Sequence, residues 1–324
     1  MELSPSQPNL KPSTDFAGRV ASHWTKEREA KVTGGKNWLI KPSEAADLLR
    51  VLGLLNADAS MPADGVRKFS QINHMLMLLK PIVEDLKERH TTVRIVDAAC
   101  GTSFLTLLLG WFFKVKLNSS CRIVGIDSNA KMVATSRERA AKLGLQDSVR
   151  FTSGSIAGVV WQDTYADLYP EDEAGRPHLL VSLHACDTAS DQALAFGILN
   201  KVDAMAVAPC CHAELAKKWK DLEGADEHPF APIFKTANLR RETAAQITDT
   251  MRLLLSRSHG YEVTATEFVP SAHTPKNRML LCQRRGQYLL SAGVEYARLT
   301  ESLAGQGILL ADLVGGGEKP VLDA

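Results

Sequence analysis

A chain of 324 residues, 45% of them hydrophobic, can bury a substantial core and is too apolar for a mainly disordered protein. With 38 basic and 37 acidic side chains the formal charge is +1, which excludes a global positive field for nucleic acid, so any such contact rests on local patches. The six cysteines (100, 121, 186, 210, 211 and 282) lack the spacing of a secreted disulfide framework, and neither a signal-peptide pattern nor an apolar run of about 18 residues is found; a soluble, cytoplasmic protein with reduced thiols and no membrane contact is expected.

Residues 1–35 are rich in Ser, Pro, Lys and Gly and predict a flexible leader. Residues 36–90 turn helical and predict a small helical cap, with one amphipathic helix over Glu44 to Leu55 and one or two more over Val66 to Leu79 and Pro81 to Arg89. From residue 91 the period changes. Short β-rich runs (Val93 to Val96, Cys121 to Ile126, Val149 to Thr152, Leu179 to Leu183, Ala204 to Val207) alternate with helical stretches, which predicts a parallel sheet covered on both faces. The acidic stretch Gln162 to Pro177 reads as a solvated loop. A long helix from about Arg240 to Ser258 precedes two further strands, Tyr261 to Phe268 and Arg278 to Gln283, expected to pair antiparallel. The expected α/β domain thus runs over 91–286 with seven strands in a Rossmann-like sheet, and 287–324 form a helical tail with a glycine-rich end.

Strands of such a sheet open onto a ligand crevice at their carboxyl ends. The first ends in Val96-Asp97-Ala98-Ala99-Cys100-Gly101-Thr102-Ser103, a small-residue turn opening a helix, where backbone can approach a ligand closely and free amides point outward. The second ends in Asp127, followed by Ser128; an acid there accepts hydrogen bonds from a ribose diol. The first loop lacks the three-glycine spacing that seats a pyrophosphate, which disfavours a dinucleotide.

These residues resemble the class I S-adenosylmethionine (SAM) methyltransferases, whose first motif has the form Asp-x-Gly-x-Gly-x-Gly. Asp97 and Gly101 match, while Ala99 and Ser103 stand where glycines are commoner. The resemblance implies SAM as cofactor, with Asp97, Ala99, Cys100 and Gly101 at its methionine end. Asp127 and Ser128 would then lie at its ribose, Ser155 and Ile156 at its adenine, and Leu183 beside it at the end of the fourth strand.

The fourth and fifth strands end in Leu183-His184-Ala185-Cys186-Asp187 and Pro209-Cys210-Cys211-His212. Three chemistries fit these residue types. His184 or Asp187 could orient or deprotonate the methyl acceptor; Cys210 could be a covalent nucleophile; or the cysteines with His212 could bind zinc. Buried, inert thiols packing the loops are the plain alternative. Adjacent cysteines and the lack of Cys-x-x-Cys speak against zinc, so no metal is expected, and His184 with Asp187 is the favoured catalytic pair.

With Arg67 to His74 upstream and His273 to Arg278 downstream, the two segments are similar to one methyltransferase branch that includes a eukaryotic tRNA ribose 2'-O-methyltransferase and methyltransferase-like proteins. The likeness covers about residues 40–290. It implies RNA as acceptor, with Lys68, Cys211, His212 and Asn277 at the acceptor. Apart from the resemblance, Arg67, Lys68, Lys235, Arg240, Arg241, Lys276 and Arg278 bracket the site segments and either line a groove for phosphates or are ordinary solvated surface charges. A protein or small-molecule acceptor, and a non-catalytic SAM-binding scaffold, are the alternatives. Oligomeric state is not set by the sequence.

Overall fold

The computed structural model describes residues 14–183, 185–267 and 278–315, in two units divided between Leu78 and Leu79.

In the N-terminal unit, α1 (Thr14–His23) and α2 (Lys26–Thr33) occupy the stretch expected to be a flexible leader, so the chain is helical from Thr14 onward. Phe16, Val20 and Trp24 fall four residues apart and are all buried, a helical stripe that the polar composition around it disguises. The Thr25 hydroxyl accepts the Arg28 amide to start α2, and Gly34, at φ 61°, ends it. A shorter helix than expected, α3 (Ala46–Val51), precedes the left-handed Gly53. The next, α4 (Ala63–Arg89), is continuous through Pro81 and crosses the division between units. Pro81 deprives the Met77 carbonyl of its helical partner. Met77 is exposed, where water can replace the lost bond. Asn73 is fully buried, taking the Ile40 amide (2.8 Å) on its carbonyl and donating to the Phe69 carbonyl (3.2 Å); it serves structure.

The second unit, in chain order, is built from β1 (Thr92–Ala98), α5 (Phe104–Trp111), β2 (Ser120–Asp127), α6 (Ala130–Lys142), β3 (Val149–Ser153), α7 (Trp161–Leu168), β4 (Leu179–Leu183), α8 (Thr188–Leu199), β5 (Ala204–Ala208), α9 (Glu214–Lys220), α10 (Ala231–Lys235), α11 (Ala237–Ser258), β6 (Tyr261–Glu267), β7 (Arg278–Arg284), α12 (Leu290–Glu301) and α13 (Leu309–Val314). The strands form one sheet in the order β3-β2-β1-β4-β5-β7-β6, with the first five parallel and β7 antiparallel to both neighbours. The expected strands and the antiparallel closing pair are present. Val96, Val124, Leu180, Met205 and Val207 are completely buried, as central strands covered on both faces require. Gly125 admits no side chain: a Cβ there would stand 2.4 Å from the Phe151 ring and 3.2 Å from the Cys100 sulfur. No helix among the described residues is long and apolar enough to cross a membrane.

The stretch 162–177 is not the solvated loop expected of it. Trp161, Tyr165 and Tyr169 recur every fourth residue, and all three are buried. The Trp161 ring nitrogen donates to the Gly175 carbonyl (2.7 Å), and the Tyr169 hydroxyl lies within bonding distance of the Ile123 (2.8 Å) and Ser148 (3.0 Å) carbonyls. The acid Asp172 is held by a two-pronged bond from Arg122 (2.7 and 2.9 Å), which draws its carboxyl below the usual range. Counting acidic residues concealed the aromatic stripe.

Candidate active site

Strand order reverses between β1 and β4, the switch point at which an open α/β sheet forms its ligand crevice. Their ladder stops at Asp97 and Val181, and beyond it the Ser182 hydroxyl donates to the Ala98 carbonyl (2.8 Å). The loops after β1, β2, β3, β4 and β5 all leave from this carboxyl edge.

In the loop after β1, Ala99, Gly101 and Ser103 have φ of 57°, 52° and 61°. Alternate left-handed residues are what the glycine pattern of the first motif serves, so Ala99 and Ser103 adopt this shape against a steric preference of roughly 1–2 kcal/mol each. The Ser103 hydroxyl bonds Ser136 and lies 3.8 Å from the Cys100 sulfur. The Cys100 amide donates to the Ile126 carbonyl (3.0 Å), which draws the loop across the end of β2. Burial pushes the Cys100 thiol far above its ordinary range, so it stays protonated.

Asp127 closes the loop from the other side. Its carboxylate accepts the Gly101 amide (2.8 Å) on one oxygen and the Asn129 amide (2.8 Å) on the other, and each oxygen keeps a further lone pair for a diol. A Cβ at Gly101 or Gly154 would meet no atom within 4 Å, so the backbone at both faces open space. Ser128 is exposed; Ser155 accepts the Ala157 amide (3.4 Å) at a short 3-10 turn that buries Ile156; Leu183 is half-buried at the end of β4. These donors and acceptors, with no pyrophosphate cradle, fit SAM. An Asp127→Ala variant is expected to bind SAM on the order of 10- to 100-fold more weakly in calorimetry, having lost a charged acceptor and left two loop amides unpaired. Unchanged affinity would remove Asp127 from the cofactor site.

Asp97 lies 2% exposed and accepts the Thr106 hydroxyl (2.5 Å). Burial raises its carboxyl from the ordinary 3.8 to about 7, the Asp127 charge adding to the rise and the Thr106 bond opposing it. Between those values the folded chain holds a proton that the unfolded chain has released, so this carboxyl's contribution to stability, complete below pH about 4, is lost as pH climbs to about 7. From pH 5 to pH 8 the wild type is expected to lose about 2–3 kcal/mol relative to Asp97→Asn in urea unfolding. A constant difference between the two would refute the shift.

The segments after β4 and β5 converge. Asp187 sits at φ 53°, ψ −118°, a region unfavourable for a residue with a side chain. Its carboxylate accepts the Ala213 (2.7 Å) and Glu214 (2.9 Å) amides, and its carbonyl accepts an Arg252 N–H (2.9 Å). The favoured acid thus clamps the two segments together through the oxygen that makes these bonds. His184 and Asn277 lie outside the described residues, and Lys68 is exposed on α4 in the N-terminal unit.

Arg252 is fully buried and bonds Asp191 (2.8 and 3.1 Å) and Asp249 (3.2 Å). Asp249 also binds His212 Nε2 (2.8 Å) and Arg278 (2.8 Å). Burial pushes the Asp249 carboxyl up, but His212 and the two guanidiniums outweigh it and hold the group below the usual range. Sequence reasoning missed Asp191, Asp249 and Arg252. The signal available was two opposite charges three residues apart, Asp249 and Arg252, in the part of α11 where Met251, Leu254 and Leu255 are buried.

The sulfurs of Cys186 and Cys210 are 3.4 Å apart, and those of Cys210 and Cys211 3.8 Å. Adjacent in sequence, Cys210 and Cys211 bring their sulfurs to the same side of the loop. Burial, with the neighbouring thiols, pushes Cys210 up to about 12, which opposes its role as a ready nucleophile.

The sheet order, the left-handed loop after β1 and the acid ending β2 are the arrangement of the class I SAM-dependent methyltransferase fold. Residues 67–218 match the family model described as "Methyltransferase domain". The chain is 28% identical over 211 residues to the "Glutathione S-transferase C-terminal domain-containing protein homolog" of Drosophila pseudoobscura pseudoobscura, and equally to that of Drosophila melanogaster; each match covers 58% of this chain and 32% of the relative. The chain thus spans about a third of the length of these curated relatives. Among solved structures, it is similar to the S-adenosyl-homocysteine-bound Podospora anserina methyltransferase PaMTH1 (12% identity, TM-score 0.40, 86% of this chain and 99% of that one). It is also similar to M. capricolum TrmK in complex with S-adenosyl-homocysteine (10% identity, TM-score 0.36, 65% and 69%).

Proposed function

We propose that this chain transfers the methyl group of SAM to a nucleophile on RNA presented at the β4–β5 edge, with His212 as proton acceptor. The observation that carries the reading is the joining of the two edge segments through Asp187, beside a loop fitted to the cofactor. SAM supplies an already activated methyl group, so the protein has to orient the acceptor and receive a proton. His212 Nε2 is engaged by Asp249; with its proton on that nitrogen, Nδ1 keeps the basic lone pair. Asp187 acts by positioning, and Cys210 and Cys211 line the acceptor side. RNA is favoured by the likeness of the Leu183–Asp187 and Cys210–His212 segments to the tRNA-modifying branch.

A protein or small-molecule acceptor is the second reading, and the basic residues favour it. Lys235 pairs with Asp226, Arg240 with Glu223 and the Phe234 carbonyl, and Arg278 with Asp249 and Gln246 (2.5 Å), so these cations already have partners within the chain. Incubation with methyl-labelled SAM and separate RNA, protein and small-molecule fractions from cells lacking the enzyme decides between them. Label in RNase-sensitive material is expected. Label confined to protein or to low-mass material would replace RNA by that class, and no label in any fraction despite SAM binding would leave the scaffold reading.

A further inference from the structure

The three thiols at the carboxyl edge come from two segments, Cys186 after β4 and the neighbours Cys210 and Cys211 after β5, and their sulfurs all lie within 4.8 Å of one another. A tetrahedral zinc ion holds sulfur at about 2.3 Å, which places any two of its sulfurs about 3.8 Å apart. The observed separation of 3.8 Å matches that spacing, and that of 3.4 Å is a few tenths of an ångström shorter. None of the three is in a disulfide; Cys186 is exposed and the other two half-buried, so an ion can reach them from solvent.

Independent bonds fix the spacing. Asp187 directly follows Cys186 and takes the amides of Ala213 and Glu214, just beyond the Cys210–His212 segment, while Arg252 holds the Asp187 carbonyl from below. The left-handed backbone at Asp187 is therefore restrained on both sides. A cluster kept together by the fold needs little rearrangement to receive an ion.

We propose that Cys186, Cys210 and Cys211 form a binding site for a thiophilic divalent cation, zinc. Three S–H bonds break as three S–Zn bonds form, the protons pass to solvent, and the fourth position is completed by a water or another donor. Zinc undergoes no change of oxidation state. The inference does not rest on the identity of the methyl acceptor.

The full chain, purified under reducing conditions without chelator, is expected to carry about one zinc per molecule by elemental analysis. After chelation, titration with Co2+ is expected to saturate at about one equivalent, giving a thiolate-to-cobalt charge-transfer band and the intense visible bands of a tetrahedral ion. Cys210→Ser, and separately the exposed Cys186→Ser, should each weaken cobalt binding on the order of 100-fold or more, with SAM affinity, and thermal unfolding compared between the metal-free proteins, close to wild type. Absence of metal in the wild-type protein together with failure to take up cobalt or zinc would overturn the proposal. So would undiminished binding in a folded Cys186→Ser variant, or thiols that respond only to peroxide by joining Cys186 to Cys210.

Discussion

Replacing Arg252 by Met is expected to destabilise the protein by about 3–5 kcal/mol, because a buried charge network loses its centre. Side chains of Arg252 and Asp191 are each 1% exposed, and no other cation in the described structure bonds Asp191. The variant strands that carboxylate and removes the donor to the Asp187 carbonyl. Asp249 suffers less, since His212 and Arg278 remain. Thermal unfolding should fall on the order of 10 °C for a chain of this size. The double variant Arg252→Met with Asp191→Leu replaces the pair by apolar side chains of similar bulk and should recover most of the stability. It should not recover methyl transfer, because the left-handed Asp187 has still lost the bond to its carbonyl. Full activity in the stable double variant would show that the clamp is dispensable.

The His212→Gln variant is expected to lower kcat on the order of 100- to 10,000-fold, the range over which a positioned base contributes. Glutamine can still donate to Asp249 through its amide, so the 2.8 Å contact and the charge balance around α11 are approximately kept while the basic nitrogen disappears. SAM affinity should be unchanged, as should the KM for the acceptor if its binding equilibrates quickly. This split between kcat and KM separates proton transfer from a packing role, which would move stability or binding instead. A variant with wild-type kcat would shift the base elsewhere on the edge, with His184 the next residue to test.

How far the fold could be read from the residues depended on whether the signal was local. Strands such as Leu179–Leu183, apolar but for Ser182, and the wholly apolar Ala204–Ala208 were both recognisable to within a residue. The same was true of the acid that ends β2. Two helical regions were hidden because polar composition masked a buried stripe: Phe16, Val20 and Trp24 in one, Trp161, Tyr165 and Tyr169 in the other. At the site, the sequence marked both cysteine-bearing segments but not their tie. The partners of Asp187 are 26 and 27 residues away, and Arg252 is 65 away. Nothing in a linear pattern announces that a carboxylate will cap a backbone so distant. The convergence of the adjacent Cys210 and Cys211 sulfurs was likewise a matter of loop conformation, which residue types alone do not determine.

At the sheet's opposite edge, His90 and His178 stack at 3.6 Å, and the main chains of Arg94 and His178 are joined by a 2.8 Å bond. The His178 ring also accepts the Arg94 amide (3.1 Å), and Asp203 is held by Arg176 (2.7 Å) while its carbonyl takes the Arg284 amide (2.8 Å). With Tyr169 bridging two carbonyls at the start of β2 and β3, the amino ends of the strands form a keel. Opening motions should then be asymmetric: amides of the keel exchange their hydrogens only when the whole domain unfolds, whereas those of the catalytic rim exchange through small local excursions. On the proposed function, the methyl acceptor comes and goes at one rim without loosening the frame, and substitutions there should alter acceptor choice at least expense to folding.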